Sequence, residues 1–455
     1  NIYRKAVKLS LQDNPTFNLC GYELRVQDYQ QILYWARNIN LDPEQIIERL
    51  EDSELQVFDG ETIKFEIRGT AIISLVWDFE LLPIDDFGWL EELSISVIGL
   101  KNNSSTSKLT FNLSALQKLY CFENRLSSID VSQAPSLVLI DCADNDIHDL
   151  YLDNCRDLKT LRCNGNQIKS LNLDPLNSLE ELNISQNKNL SDIDFIRRPN
   201  IKHLSCSALD LEQLNLDGMS NLNYLDCSLN NLKELNLLKV PSLVWLDCKD
   251  NKISKVSLNH VPNLAGLDCK QNQLKELDFS FSPGITWIDC SKNLLQQLDI
   301  SQLKDLTWVQ CKENEIYDIN LPKSSKLREL LCSNNKLLGL LLNDSKDLNE
   351  LICNDNLLTI LDLSGNGNLI HVDCQNNKIQ KIQLPENGKI NYLDCKKNRL
   401  ETINFWETPS IRILNISVNP IDNIDIRGIE QLKKLTKDPC VIVKHRGDQK
   451  IAESK

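Results

Sequence analysis

The chain has 455 residues, with 64 acidic and 50 basic side chains and a formal net charge of −14. This acidic balance argues against nucleic acid as the main partner, because phosphate binding requires a basic surface. No run of 18 or more apolar residues occurs, so the sequence predicts no transmembrane helix and no membrane insertion. Only five histidines are present, which leaves few side chains for acid–base chemistry near neutral pH.

Residues 1–110 do not follow the pattern of the rest of the chain, and we expect them to form a small α+β capping region. Apolar side chains in 26–39 have helical spacing, which predicts a first helix. A second helix should begin after Asp42, with Pro43 in its first turn and Gln45 as the capping-box partner. A separate functional domain is the alternative interpretation of this region.

A β-hairpin is predicted where Asp59-Gly60 joins the alternating runs 55–58 and 62–67, because this dipeptide favours tight turns between strands. The run 71–79 is typical of a strand. Three apolar residues that follow it have repeat-like spacing and indicate a degenerate first repeat: Leu90, Leu93 and Ile95.

A 21-residue repeat fills residues 111–435, and its cysteines reveal it. Thirteen of the sixteen cysteines form a series with intervals of 21 residues, except for one interval of 43 residues where Ile184 takes the place of a cysteine. Ile416 continues the series, which gives fifteen positions that we call rungs. Thirteen rungs are cysteine: Cys121, Cys142, Cys163, Cys206, Cys227, Cys248, Cys269, Cys290, Cys311, Cys332, Cys353, Cys374 and Cys395.

Each repeat reads L-x-x-L-x-C-x-x-N-x-L-x-x-L-x-L, which predicts a short parallel strand with its leucines and its rung facing the core. Asparagine stands three residues after the rung in fourteen of fifteen repeats, with Leu209 as the exception. We expect these amides to bond from coil to coil. Because 21 residues leave no room for a helix on the outer wall, the fold predicted is a right-handed, β-rich leucine-rich-repeat solenoid of about 15 coils. Residues 436–455 would form a C-terminal cap and tail.

This repeat resembles the short bacterial leucine-rich repeats called the IRREKO class, and its cysteine ladder is similar to that of the internalins. The resemblance covers roughly residues 110–430. It implies the solenoid fold with high specificity. It implies little about function, because such repeats serve many partners. An adhesin or virulence factor that binds a host protein or a glycan is the alternative function that follows from it.

The ladder cysteines are interpreted as core residues, since buried cysteine packs as a small apolar side chain. No C-x-x-C pair occurs, and parallel strands in register disfavour disulfide geometry. We therefore expect no metal and no cofactor. Many unpaired thiols favour a reducing compartment such as the cytoplasm. Secretion or surface display is the alternative if a signal precedes Asn1.

Large aromatic side chains recur three residues before the rung, on the exposed face of the strand. We call this set the aromatic column. Exposed aromatics are frequent hot spots of protein interfaces, so the column is a candidate binding site. The alternative is that the rings pack laterally on one another. The candidate residues are Tyr224, Trp245, Trp287 and Trp308, with Gly266 between the first two tryptophans.

A second exposed set, one residue before the rung, forms what we call the acidic column. Its candidate binding residues are Asp226, Asp247, Asp268 and Asp289. Carboxylates at strand spacing repel one another, and a cationic ligand would relieve that repulsion. The alternative is that aspartate merely belongs to the duplicated Leu-Asp-Cys unit. Three lysines on the same face offset part of the charge: Lys249, Lys270 and Lys312.

No catalytic residue is predicted, since the chain lacks the phosphate loop, the hydrolase elbow and the metalloprotease helix motifs. The favoured function is a non-catalytic scaffold that binds a protein or peptide, one of basic character, on its exposed sheet face. Tryptophan beside aspartate also suits a sugar, which leaves a glycan as an alternative ligand. A further alternative is the recognition part of a larger enzyme or effector.

Overall fold

The computed structural model describes residues 15–445 and 451–454, apart from Asp85, Glu91, Ser105, Ser191, Asp192, Asp194, Ile196, Arg197, Ser324, Ser325, Asn343 and Glu407. The chain is a leucine-rich-repeat solenoid of about 17 turns. It divides into two compact units, Asn1–Leu211 with Asp217–Leu222, and Glu212–Leu216 with Asn223–Lys455. The solenoid fold expected from the cysteine period is confirmed.

The N-terminal part of the first unit contains the two helices of the described residues, α1 (Val26–Asn38) and α2 (Pro43–Glu51). The predicted start of α2 is confirmed, since the Asp42 backbone N–H donates to Gln45 Oε1 at 2.9 Å. Trp35 of α1 packs edge-on against Trp77, with ring centroids 4.9 Å apart and both side chains fully buried. Because Trp77 belongs to the strand Ala71–Asp78, this aromatic core packs α1 against that strand.

The strands of the first unit form two small hairpins, a main sheet and a side sheet. Pairs β1–β2 and β3–β4 are antiparallel hairpins. The main sheet has the order β5-β6-β7-β9-β11-β13-β14-β15 and is parallel beyond the β5–β6 pair. The side sheet has the order β8-β10-β12. Their bounds are β1 Thr16–Leu19, β2 Tyr22–Arg25, β3 Glu54–Gln56, β4 Thr62–Lys64, β5 Glu66–Arg68, β6 Ala71–Asp78, β7 Val97–Lys101, β8 Lys108–Thr110, β9 Lys118–Tyr120, β10 Ser128–Asp130, β11 Leu139–Asp141, β12 Asp149–Tyr151, β13 Thr160–Arg162, β14 Glu181–Asn183 and β15 His203–Ser205.

The second unit continues the same pattern with short parallel strands. Its main sheet has the order β16-β17-β18-β19-β21-β23-β24-β26-β28-β29-β31-β33, and pairs β20–β22, β25–β27 and β30–β32 form the opposite wall. The bounds are β16 Tyr224–Asp226, β17 Trp245–Asp247, β18 Gly266–Asp268, β19 Trp287–Asp289, β20 Gln297–Asp299, β21 Trp308–Gln310, β22 Asp318–Asn320, β23 Glu329–Leu331, β24 Glu350–Ile352, β25 Ile360–Asp362, β26 His371–Asp373, β27 Lys381–Gln383, β28 Tyr392–Asp394, β29 Ile413–Asn415, β30 Asn423–Asp425, β31 Lys434–Thr436, β32 Ile442–Lys444 and β33 Ala452–Ser454.

The asparagine ladder links neighbouring coils wherever the asparagine is present, as its sequence position predicts. Asn293 donates through Nδ2 to the Cys269 carbonyl of the preceding coil at 2.9 Å and to the Cys290 carbonyl of its own coil at 3.1 Å. Its Oδ1 accepts the Leu274 backbone N–H at 3.0 Å. The side chain is buried, so these bonds replace the water that the turn would otherwise need.

A left-handed backbone residue stands two positions after every one of the fifteen rungs. Only Gly165 among them is glycine. Asparagine and aspartate tolerate this conformation better than other residues. Leu229 at φ 54° and Val418 at φ 58° are poorly suited to it. The turn after the strand therefore imposes one strained residue in many coils.

The repeat geometry begins one coil before the first ladder cysteine, Cys121, with its strand at Val97–Lys101. The register predicted from Leu90, Leu93 and Ile95 is therefore wrong by five residues. Ile98 of β7 pairs in register with Leu119, which places Leu100 at the position equivalent to Cys121. Asn103 follows Leu100 by three residues, and its backbone N–H donates to Asn124 Oδ1 at 2.9 Å. At the other end, β33 pairs with β31 in register, so part of the expected tail forms a strand.

Candidate functional site

The main-sheet strands of the second unit place the aromatic and acidic columns on the side away from the core. In β17, Leu246 points inward and is fully buried, whereas Trp245 and Asp247 lie on the outer side. Trp245 is half-buried there, but Asp247 and Asp289 are buried, at 9% and 6% exposed, so the acidic column is less exposed than the sequence predicted. Trp245 pairs in register with Gly266, and Gly266 with Trp287. Since side chains alternate along a strand, the same arrangement recurs in each coil.

The three tryptophans form a continuous stack. The ring centroids of Trp245 and Trp287 are 5.3 Å apart at an interplanar angle of 30°, and those of Trp287 and Trp308 are 4.7 Å apart at 2°. The rings therefore pack laterally on one another, which is the alternative considered from the sequence. All three remain half-buried rather than enclosed, so their outer edges stay accessible.

The absence of a side chain at Gly266 allows the Trp245 and Trp287 rings to stack. A Cβ atom built on Gly266 would overlap the six-membered ring of Trp245 at Cε3 and Cζ3. Trp245 therefore lies across the strand of Gly266 to reach Trp287 two strands away. The sequence shows a glycine between two tryptophans of the aromatic column. The repeat period alone does not predict that the two rings stack across that glycine.

The aspartates of the acidic column have a structural role in their own turns. In four successive coils, Oδ1 accepts the backbone N–H of the residue two positions later, at distances between 2.9 and 3.2 Å. This bond closes the turn out of the strand. It leaves the second carboxylate oxygen for other partners. The acceptors are Asp226, Asp247, Asp268 and Asp289.

Lys249 bridges two neighbouring carboxylates. Its Nζ lies 2.6 Å from Asp247 Oδ2 and 3.6 Å from Asp268 Oδ2. Burial alone would lower the pKa of Lys249, but the bond to Asp247 and the surrounding carboxylates outweigh it and raise that pKa. Burial, followed by repulsion from Asp247 and Asp289, raises the pKa of Asp268 to about 6. Repulsion among the carboxylates of the acidic column is therefore only partly offset by Lys249.

Further along the second unit, a mixed group continues the aromatic column. His371 Nδ1 lies 3.4 Å from Glu350 Oε1, and the His371 ring packs edge-on to Tyr392 with centroids 4.5 Å apart. Half-buried aromatic and carboxylate groups therefore occur on this face beyond the tryptophan stack.

In the first unit, the β3–β4 hairpin covers the outward face of the main sheet around β9 and its neighbouring strands. Val57 and Ile63 of the hairpin pack in one cluster with Tyr120, and Leu139 lies against that cluster. A Cβ on Gly99 would lie 2.9 Å from Leu55 Cδ2, so glycine makes room for the hairpin. The sequence predicted this hairpin, but it carried no indication that the hairpin docks on the sheet.

Two charged contacts hold the tip of this hairpin. Glu61 Oε2 lies 3.2 Å from Lys118 Nζ, and the Arg162 guanidinium lies 4.9 Å from the centroid of the Phe58 ring. The Tyr120 hydroxyl beneath the hairpin is buried, and burial followed by the charges of Asp59 and Glu61 raises its pKa to about 12. The outward face near Tyr120 is therefore occupied by the chain itself.

The ladder cysteines are buried and unpaired, in agreement with their interpretation as core residues. Burial raises the pKa of Cys163 and of Cys332 to about 12. Across the described residues, no group of three or more His, Cys, Asp or Glu side chains is arranged to hold a metal ion. No helix within the described ranges is both long and apolar enough to cross a membrane.

The solved structures that resemble this chain include two leucine-rich-repeat proteins. The functional domain of InlJ from Listeria monocytogenes, which includes a cysteine ladder, is 22% identical with a TM-score of 0.59, over 82% of this chain and 79% of that chain. YopM from Yersinia enterocolitica is 22% identical with a TM-score of 0.60, over 92% of this chain and 99% of that chain. No family model and no curated protein matches the sequence. These similarities establish the fold.

Proposed function

We propose that the chain is a non-catalytic protein-binding scaffold, and that its partner lies on the outward face of the second unit. The observation that carries this proposal is the stack of Trp245, Trp287 and Trp308 on a sheet face that the chain leaves half-exposed. Tryptophan is enriched in interface hot spots because it buries a large area and loses little conformational entropy. A repeat solenoid also presents an extended surface suited to macromolecules.

The stacking geometry favours a protein over a sugar as the ligand. A carbohydrate stacks on the face of an aromatic ring, but Trp287 is stacked between the other two rings. The ring edges that remain suit apolar side chains of a protein segment. The acidic column beside them suits a partner with basic groups. The solenoid fold shared with InlJ and YopM supports a scaffold without naming its partner.

Affinity capture followed by binding measurements on the purified partner tests this function. The test variant carries Trp245→Ala, Trp287→Ala and Trp308→Ala. We expect a loss of affinity of at least about a hundredfold, since hot-spot residues each contribute about 2 kcal/mol or more. Circular dichroism would verify that the array stays folded.

The matched control replaces three exposed apolar residues of the opposite wall. Leu338, Leu341 and Ile360 are 62%, 85% and 59% exposed, so their removal deletes comparable apolar surface. The control triple-alanine variant should bind the partner with unchanged affinity. If the control loses the partner and the tryptophan variant keeps it, the binding surface lies on the opposite wall and the proposal is wrong.

A further inference from the structure

The carboxylates of the acidic column are unequally balanced by cations. Asp247 has Lys249 at 2.6 Å, and Asp268 has the same ammonium at 3.6 Å. Asp289 accepts only a neutral donor from a side chain, the Gln310 amide at 2.9 Å. In the part of the chain that the structure describes, no cationic side chain lies within 4.0 Å of Asp289. The negative charge of Asp289 is therefore not balanced by a cationic side chain among the described residues.

Lys249 shows that the geometry of this column accepts a cation. Its ammonium lies between two carboxylates that belong to successive strands, while the side chain stays about one-third exposed. Asp268 and Asp289 face each other in the same direct register as Asp247 and Asp268. The second pair therefore repeats, one strand further on, the arrangement that already holds a cation.

A buried hydroxyl beside this pair has no partner. Ser291 is 2% exposed, and its Oγ makes no hydrogen bond within the described residues. At the equivalent position of another coil, the Ser228 hydroxyl donates to Asp226 at 2.6 Å, which shows that this position faces the acidic column. A buried polar atom left unsatisfied next to Asp289 is a group that a ligand donor can satisfy.

We propose that an arginine side chain of the partner binds between Asp268 and Asp289, with its aliphatic stem along the edges of the tryptophan stack. This inference rests on the proposed function and names the group that the face selects. A guanidinium carries five donors in one plane, is weakly hydrated and pairs with carboxylates in partly buried sites. One of its donors is directed to the Ser291 hydroxyl oxygen. A lysine ammonium bound to both carboxylates would reach that oxygen less well, because its three donors lie on a single nitrogen.

Fluorescence anisotropy with defined peptides tests this assignment. The probe is a labelled nonapeptide of alternating arginine and valine, compared at pH 7.5 with the same peptide carrying citrulline, which is neutral, or lysine. The arginine peptide should bind the full chain about tenfold more tightly than the lysine peptide, and the citrulline peptide should bind more weakly still. Equal affinity for arginine and citrulline would overturn the proposal.

Three variants locate the contact. Asp268→Asn should weaken binding of the arginine peptide by about tenfold, whereas Asp305→Asn, an exposed carboxylate paired with Lys326 away from the face, should leave it unchanged. Lys249→Met removes the competing ammonium and should strengthen binding. If partner capture is lost in the tryptophan variant but both Asp268→Asn and Lys249→Met bind like the wild type, the scaffold function stands and this assignment fails. If the tryptophan variant also keeps the partner, both fail.

Discussion

Trp245 lies over the backbone of Gly266, in the space that a side chain at that position would fill. The two residues face each other on paired strands, and the missing side chain lets the Trp245 ring reach Trp287. A single glycine thus converts three separate aromatic residues into one continuous surface.

Replacing Gly266 with alanine should disrupt the stack. The new Cβ overlaps the Trp245 ring, so the ring must move, and we expect a loss of stability of about 1–3 kcal/mol. Near-ultraviolet circular dichroism and tryptophan emission should both change. Gly339→Ala is the matched control, because a Cβ there meets nothing within 4 Å. A spectrum of Gly266→Ala identical to that of the wild type would contradict the packing.

Replacing Asp268 with asparagine should stabilise the chain at neutral pH. The native pKa of Asp268 is raised to about 6, above its value in the unfolded chain, so the native state binds more protons. The contribution of Asp268 to the free energy of unfolding therefore falls as pH rises from about 4 to 6, and it remains unfavourable at higher pH. The neutral amide would remove this cost, a gain of about 1–3 kcal/mol at pH 7.5 that vanishes below about pH 4.

The control for this pH dependence has the opposite sign. A hydrogen bond from the Ser280 side chain lowers the pKa of exposed Asp278, so Asp278→Asn should lose a little stability above pH 4. Urea unfolding midpoints measured between pH 3.5 and 8 would separate the two cases. A stability difference for Asp268→Asn that does not vary with pH would contradict the assigned cause.

Thiol reactivity should divide the cysteines into two classes. Fourteen of the sixteen cysteines are buried, and only Cys20 and Cys440 are exposed. Since the thiolate is the reactive form, a buried thiol of raised pKa should be inert. We expect two thiols to react with a disulfide reagent at pH 8 in the native state and all sixteen in denaturant. More than two fast thiols would show that the ladder opens to solvent.

Replacing Val418 with asparagine should stabilise the solenoid, because asparagine adopts the left-handed backbone conformation with less strain. A β-branched residue at φ 58° is strained, and the side chain is 51% exposed, so little packing is lost on replacement. Val418→Asn should gain about 1 kcal/mol in unfolding free energy. Val244→Asn, an exposed valine outside the left-handed set, should gain nothing. Equal effects at both positions would show that the polar side chain, not relief of backbone strain, is responsible.

The cysteine period predicted most of the fold, because it fixes which residues share a face. The bonds of Asn293 and the burial of the rung at Cys290 follow from that register alone. Local signals likewise predicted α2 through Asp42 and Gln45. The sequence was therefore sufficient to predict contacts that a residue makes within its own coil or with the adjacent coil through the repeat register.

Details that depend on how side chains lean across strands could not be predicted. Lys249 could reach either carboxylate or neither, and only the structure shows that it bridges Asp247 and Asp268. Docking of Val57 on Tyr120 joins segments whose packing no repeat pattern encodes. The aromatic and acidic columns themselves were predicted, and their role in binding stays a prediction.

Hydroxyl-radical footprinting of the chain with its captured partner tests the central claim most directly. Trp245, Trp287 and Trp308 lie on the proposed face, whereas Trp406 is 59% exposed and lies outside the aromatic column. We expect partner binding to protect the three stacked tryptophans from oxidation while Trp406 reacts as in the free chain. Unchanged oxidation of the stack in the complex, or protection of Trp406 alone, would contradict binding through this face.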